Sequence, residues 1–418
     1  MATRPDYWST FCASRLAFPN GLDNAYFRNF HFFIAIKNEL QLDCLMKLDV
    51  RQNMMVSLYK ELRVKIWVIG KAGPDRRTEK DEAPQGSLKS YWKVGFMRFL
   101  KAIVFAVITT IFTGFSILPV AIAKTPINTV ATVGMVADAV RAVGGDNVTV
   151  EALMGTGIDP HSYRQTRSDV VKLGRADAIF ANGLFLEAQM EDLLLKLQER
   201  KPVFFVGEAI DSEKLEGSTA YSGRYDPHVW MSPTLWKGAV DGVTEALVSI
   251  DPENEQDYRD NAAAYQAQME KLADYGDKVL QTVPEEHRVL VTAHDAFTYL
   301  GRDFDLEVVG IQGISTNSEA GLQRIETLVD LLVDRKVTAV FVESSVSERN
   351  VRALVEGAAA KGHKVEVGGE LFSDAMGQSN TYEGTYVGMI DHNMTSIARA
   401  LGGEAPAQGM QGKLGAGH

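Results

Sequence analysis

DPENEQDYRDNAAAYQAQMEKLADYGDKVLQT, residues 251–282, decides the fold. Asp251-Pro252 reads as a helix start, a capping residue followed by proline in the first turn, and Pro284 ends the run. Tyr258, Ala262, Tyr265, Met269, Leu272, Gly276 and Val279 recur in steps of four and three, which makes one continuous apolar face. Roughly 30 residues at about 1.5 Å each span about 45 Å. A helix of that length crosses a whole two-lobed protein. Gly276 is the weak point of its interior, at about 1 kcal/mol relative to alanine, too little to make a hinge.

On both sides of this helix, strands and helices alternate. Toward the N-terminus the strand candidates are Ile127–Val133, Val148–Leu153, Ala178–Ala181 and Val203–Val206. Helices are expected over Met135–Val143, from a Ser168 cap to Arg175, and from Ser232-Pro233 to about Ser249. Beyond the long helix, strands are expected at Arg288–Ala293, Leu306–Gln312, Thr338–Glu343 and His363–Gly368. Helices follow at Glu319–Arg335, Ser347–Lys361 and about Tyr386–Leu401, with a loose glycine-rich tail. Such alternation implies an α/β fold of parallel sheets covered by helices, with ligands at the carboxyl ends of strands. The expected organisation is a lobe over 124–250, a connecting helix over 251–283 and a second lobe over 284–418.

At 418 residues the chain has room for two or three domains. A net charge of −11 argues against nucleic acid and anionic membrane surfaces as partners. Cys12 and Cys44 are the only cysteines, so neither disulfides nor thiolate ligands operate beyond residue 44.

A targeting segment lies inside the chain. Met97-Arg98-Phe99-Leu100-Lys101 is a basic start, Ala102 to Leu118 is an apolar run, and Ala121-Ile122-Ala123 is an A-x-A end. These are the three parts of a secretory signal peptide, which predicts cleavage after Ala123 and export of residues 124 onward. The 96 residues before Met97 are read as the product of a start codon assigned too early, with Met97 as the true start. The rival reading is a cytoplasmic leader followed by a signal anchor, held by Lys89, Lys93, Arg98 and Lys101. No cysteine follows the apolar run, so a lipid anchor there is not available.

Asp-Pro-His occurs twice, at Asp159-Pro160-His161 and Asp226-Pro227-His228. A third histidine stands in Thr292-Ala293-His294-Asp295, and a carboxylate in Phe372-Ser373-Asp374-Ala375-Met376-Gly377. Each falls where a strand or loop gives way to a turn. Three imidazoles and a carboxylate make a zinc site, and a bidentate carboxylate also suits manganese. In each Asp-Pro-His, proline fixes the backbone before the histidine, and Asp159 and Asp226 are candidates to orient the two imidazoles. Asp295 is read as the cap of a helix starting at Ala296. Glu343 competes with Asp374 as the carboxylate ligand. His31, His287, His363, His392 and His418 are read as ordinary surface or core histidines. No Gly-x-Ser-x-Gly, phosphate loop or His-Glu-x-x-His is present.

Over about residues 127–402 the sequence resembles the TroA-like metal-specific solute-binding proteins of zinc/manganese ABC transporters. The resemblance is carried by Gly157-Ile158-Asp159-Pro160-His161-Ser162-Tyr163, Asp226-Pro227-His228-Val229-Trp230 and Thr292-Ala293-His294-Asp295-Ala296-Phe297. It continues in Gly313-Ile314-Ser315-Thr316-Asn317-Ser318-Glu319, Phe341-Val342-Glu343-Ser344-Ser345 and Gly369-Glu370-Leu371-Phe372-Ser373-Asp374-Ala375-Met376-Gly377. It implies two α/β lobes joined by one long rigid helix, with the metal between them on His161, His228, His294 and Asp374. It further implies a monomer in the periplasm that delivers zinc or manganese to an ABC permease in the inner membrane, with no catalysis and no nucleic acid. Two departures keep the metal open. Zinc-dedicated members often carry a His-rich loop where Gly207–Tyr225 has no histidine, and manganese or iron members often have Glu where His294 stands. The alternative from another class is a secreted zinc hydrolase, which needs Asp374 to leave a coordination position open.

Overall fold

The computed structural model describes residues 95–106, 125–218 and 221–415. The chain divides into two compact units, Met1–Leu118 and Pro119–His418. In the first, residues 95–106 are helical and expose Phe96, Met97, Phe99, Leu100, Ile103, Val104 and Phe105. Residues 1–94 of the leader and the expected cleavage point after Ala123 lie outside the described residues. Among the described residues no helix is long and apolar enough to cross a membrane.

The second unit carries the alternation read from the sequence. Its first sheet holds β1 (Ile127–Ala131), β2 (Val148–Ala152), β3 (Ala178–Ala181) and β4 (Val203–Phe205), all parallel in the order β2-β1-β3-β4. Around it lie α1 (Gly134–Gly144), α2 (Arg167–Arg175), α3 (Glu191–Gln198) and α4 (Pro233–Ile250). The connecting helix is α5 (Glu255–Leu280). Beyond it, β5 (Val289–Thr292) pairs parallel with β6 (Glu307–Gly310), and β7 (Ala339–Glu343) pairs parallel with β8 (Glu366–Leu371). These form two separate two-stranded sheets, with β5 lying near β7. Helices α6 (Thr298–Phe304), α7 (Leu322–Asp334), α8 (Arg349–Ala360) and α9 (Tyr386–Ala400) complete it.

Helix α5 buries every residue of the face read from its periodicity, Tyr258 through Val279. Its first half packs on lobe one, where Asn261 Nδ2 donates to Val143 O at 3.0 Å and Tyr265 Oη donates to Asp138 at 2.6 Å. Its second half packs on α9, with Tyr275 Oη 2.7 Å from Thr395 Oγ1. One apolar core therefore runs from lobe one through α5 to α9, and a second lies under α7 and α8. Gly276 is a place of close approach. A Cβ there would lie 2.6 Å from Phe304 and 2.8 Å from Met394 Sδ. The glycine read as a weak point is thus required by packing.

Several local readings are corrected. Thr166, not Ser168, caps α2, in a reciprocal capping box with Asp169. Asp251 does not cap α5; a 3-10 turn, Pro252–Asn254, precedes the helix, and the Asp251 carboxylate accepts from Tyr258 Oη at 2.8 Å and Asn254 Nδ2 at 2.7 Å. Helix α6 starts at Thr298 rather than Ala296, and Asp295 accepts from Thr298 Oγ1. Strand β8 starts at Glu366 rather than His363. The short helix α3 was not foreseen. The glycine-rich tail is not loose as far as residue 415: Met410 N donates to both oxygens of the buried Asp391, at 2.8 and 3.0 Å, and Leu414 is buried.

Candidate metal centre

The loops that leave the strands carry the site. His161 follows β2, His294 follows β5, Asp374 follows β8, and His228 stands before a 3-10 turn, Val229–Met231, that leads into α4. Ser232 caps α4, accepting from Leu235 N, with Pro233 in its first turn. That cap fixes the chain four residues after His228.

All four side chains are buried and their ligand atoms lie within 4.8 Å of one another. His228 Nε2 is 3.1 Å from His161 Nε2 and 3.4 Å from His294 Nε2. Asp374 Oδ2 is 3.2 Å from His294 Nε2 and 3.7 Å from His161 Nε2, and its Oδ1 is 3.4 Å from His228 Nε2. A tetrahedral ion with bonds of about 2.0–2.1 Å sets its ligands about 3.3 Å apart. The observed separations, 3.1 to 3.7 Å, are close to that spacing. Neither Asp374 oxygen meets a hydrogen-bond donor in good geometry; each faces only imidazole nitrogens. A buried carboxylate so placed lacks the partners that burial normally demands. A cation at the centre would supply them.

The remaining atoms fix which nitrogen faces the centre. His228 Nδ1 lies 2.6 Å from Asp226 Oδ1, which also accepts His228 N at 3.0 Å. His294 Nδ1 lies 2.5 Å from Glu343 Oε2, and His294 N donates to Glu343 Oε1 at 2.8 Å. A carboxylate on Nδ1 holds the proton there and leaves the Nε2 lone pair pointing inward. Asp226 thus plays the orienting role expected of it. Asp159 does not: it accepts His161 N at 2.8 Å and no contact to the ring joins them. Glu343, read as a rival ligand, braces His294 from behind.

The electrostatics follow from burial and these charges. Burial pushes His161 down to about 4, against the pull of Asp374. Burial alone would lower His228 too, but Asp226 and Asp374 outweigh it and hold it at about 9. His294 is likewise raised well above the ordinary range, with Glu343 and Asp374 overcoming burial. Asp374, which burial would raise, is held well below the usual carboxylate range by the imidazoles around it. The His228 and His294 rings act as the counter-charge that an ion would provide.

The other described histidines serve the scaffold. His363 Nε2 lies 2.7 Å from Val337 O, and His392 Nε2 lies 2.8 Å from Glu370 O behind β8. His287 lies outside the cluster, and His31 and His418 fall outside the described residues. Two contacts that tie the ligand segments together were not legible in advance. Trp230 Nε1 donates to Ser373 O at 2.8 Å, which joins the His228 segment to the Asp374 segment. Tyr299 Oη donates to Asp226 O at 2.9 Å. The motif Asp226-Pro227-His228-Val229-Trp230 contained the first donor, but nothing local named its acceptor 143 residues away.

The family model described as zinc-uptake complex component A, periplasmic, matches residues 129–400. The chain belongs to this family. It is 46% identical over 275 residues to the manganese-binding lipoprotein MntA of Bacillus subtilis, covering 65% of this chain and 88% of that one. It is 45% identical over 273 residues to the zinc-binding protein TroA of Treponema pallidum, with the same coverage. The solved structure of the periplasmic zinc-binding protein TroA from Treponema pallidum superposes with a TM-score of 0.65 at 43% identity, covering 66% of this chain and 99% of that chain. The family supplies the metal-binding component of an ABC uptake system, which implies a permease and ATPase as partners and no catalysis. The hydrolase alternative loses its support, since the family is a metal-binding component of transporters.

Proposed function

We propose that His161, His228, His294 and Asp374 hold one divalent transition metal ion, zinc or manganese, as cargo. The chain is the periplasmic carrier that hands this ion to a permease in the inner membrane. The observation that carries the reading is Asp374, buried and ionised, with both oxygens facing only the Nε2 atoms of three histidines. Three imidazoles select a transition metal over calcium or magnesium. With one Asp374 oxygen bound the site is four-coordinate, as zinc prefers; with both bound it gains a fifth contact that suits manganese. The two relatives named for manganese and for zinc are nearly equally similar to this chain, which supports keeping both metals.

The carrier works as a monomer of two lobes on α5. It reaches the periplasm through the segment at 97–123 and begins near Lys124, without a lipid anchor, since no cysteine follows Cys44. Titration of the metal-free protein with zinc and with manganese, then competition between them, tests the binding reading. One site per chain, lost in Asp374→Ala, is expected. Equal binding in Asp374→Ala contradicts it. N-terminal sequencing of the exported native protein tests the processing; any residue upstream of Met97 contradicts it.

A further inference from the structure

The three histidines are not held alike. His228 and His294 each have a carboxylate on Nδ1 and on their own backbone N–H. Among the described residues no carboxylate pairs with the His161 ring nitrogen that faces away from the site. What holds His161 is the placement of its loop. Within lobe one, Tyr163 Oη donates to Asp169 at 2.7 Å. At the start of the loop Met154 N donates to Thr132 O at 3.0 Å, and within it Asp159 accepts from His161 N at 2.8 Å and from Ser162 Oγ at 2.7 Å. Three further tethers cross the cleft. Thr156 Oγ1 donates to Gly377 O at 3.2 Å, Thr316 Oγ1 donates to Asp159 Oδ2 at 2.6 Å, and Asn317 Nδ2 donates to His161 O at 3.3 Å.

The last two come from Gly313-Ile314-Ser315-Thr316-Asn317-Ser318-Glu319, a motif that contributes no ligand. That loop is itself pinned to lobe two, where Glu319 Oε2 accepts from Gln312 Nε2 at 3.3 Å and from Asn350 Nδ2 at 3.0 Å. Thr316 is half-buried and Asn317 exposed, whereas the Trp230 tether behind His228 is wholly buried. The His161 loop is therefore the ligand segment whose hold opens from the solvent side. Its backbone is adaptable at Gly155 and Gly157, the latter at φ 73°.

We propose that Thr316 and Asn317 are positioning residues that latch the His161 loop across the cleft and set the rate of metal release. The inference rests on the carrier reading above and adds its exit step. When the two hydrogen bonds break, His161 leaves with its loop, while His228, His294 and Asp374 stay braced.

The test is a chelator chase. The full chain is loaded with zinc, mixed with excess chelator, and followed by stopped flow. Thr316→Val with Asn317→Ala should release zinc about tenfold faster, equivalent to about 1.4 kcal/mol. Thr316→Ser, which keeps the hydroxyl, should release near the wild-type rate, a rescue that a purely structural role for the threonine methyl would not give. The cobalt-substituted absorption spectrum should be unchanged in all variants, because the ligands are unchanged. The singly substituted, exposed Asn317→Ala serves should the double variant fold poorly, and should release faster than wild type. A wild-type rate in the double variant, or in Asn317→Ala where that single variant stands in for it, overturns the latch, as does an altered cobalt spectrum or equal acceleration in Thr316→Ser. A wild-type chain that loads no metal overturns the carrier reading and the latch with it; a loaded chain whose variants release normally overturns the latch alone.

Discussion

Glu343→Gln should weaken zinc binding by about ten- to a hundredfold at pH 8, the cost seen when a partner behind a metal-bound histidine is lost. The structure shows why so small a change matters. Glu343 accepts two donors from one residue, His294 N at 2.8 Å and Nδ1–H at 2.5 Å. Glutamine has one oxygen to offer. If it turns that oxygen to Nδ1–H, its amide NH2 faces the buried backbone N–H, donor against donor, at about 1–3 kcal/mol. If it turns the other way, its NH2 donates to Nδ1 and the ring proton moves to Nε2, where the metal needs a lone pair. Removing the Glu343 charge also lowers the raised pKa of His294, so fewer protons compete with the metal. The deficit should accordingly narrow from pH 8 toward pH 6. Competition against a chromophoric chelator at several pH values measures it, with the unfolding temperature of the metal-free variant as a check on folding. Affinity within about threefold of wild type at pH 8, or a deficit that widens toward pH 6, would refute the bracing argument.

Other outcomes follow from the same structure. Wild-type affinity should rise between pH 6 and about 9: metal-free His228 sits at about 9 and His294 well above its ordinary range, so both hold protons that the metal must expel, and each costs about tenfold per pH unit below its pKa. Calorimetry in buffers of different ionisation enthalpy should detect proton release, and its absence would count against the site as drawn. Gly276→Ala should destabilise the protein by about 1–3 kcal/mol in urea unfolding, since its Cβ would press on Phe304 and Met394; unchanged stability would mean that this contact yields freely. Small-angle scattering should give the same radius of gyration with and without metal, because α5 runs unbroken from Glu255 to Leu280 and hinge closure needs large dihedral changes. A change of several ångströms would contradict the rigid connector.

Most of the fold was legible because its signals are local. The buried face of α5 is written as periodicity, and β3 matches its sequence reading to the residue. The four side chains that cluster were legible because Asp-Pro-His and the strand-end turns mark rigid, polar places, and because several long motifs resembled one family. What was not legible depends on partners far away. Glu343 at the end of β7 reads equally as ligand or brace until β5 is placed beside it. Thr316 and Asn317 have no local role, since their acceptors lie more than 150 residues earlier. Glycine in the tail reads as looseness, yet Gly409 has φ 70° and a Cβ there would lie 2.5 Å from Asp391. Ser168 and Thr166 are both capping types, and the Asp three residues after Thr166 was the signal that distinguishes them.

The central claim is the ligand set, and X-ray absorption at the metal edge of the zinc-loaded protein tests it most directly. Three imidazole nitrogens and carboxylate oxygen in the first shell are predicted, with one nitrogen lost in each of His161→Ala, His228→Ala and His294→Ala and no change in His363→Ala. A first shell that keeps three imidazoles in all four variants, or that contains no carboxylate, would contradict it.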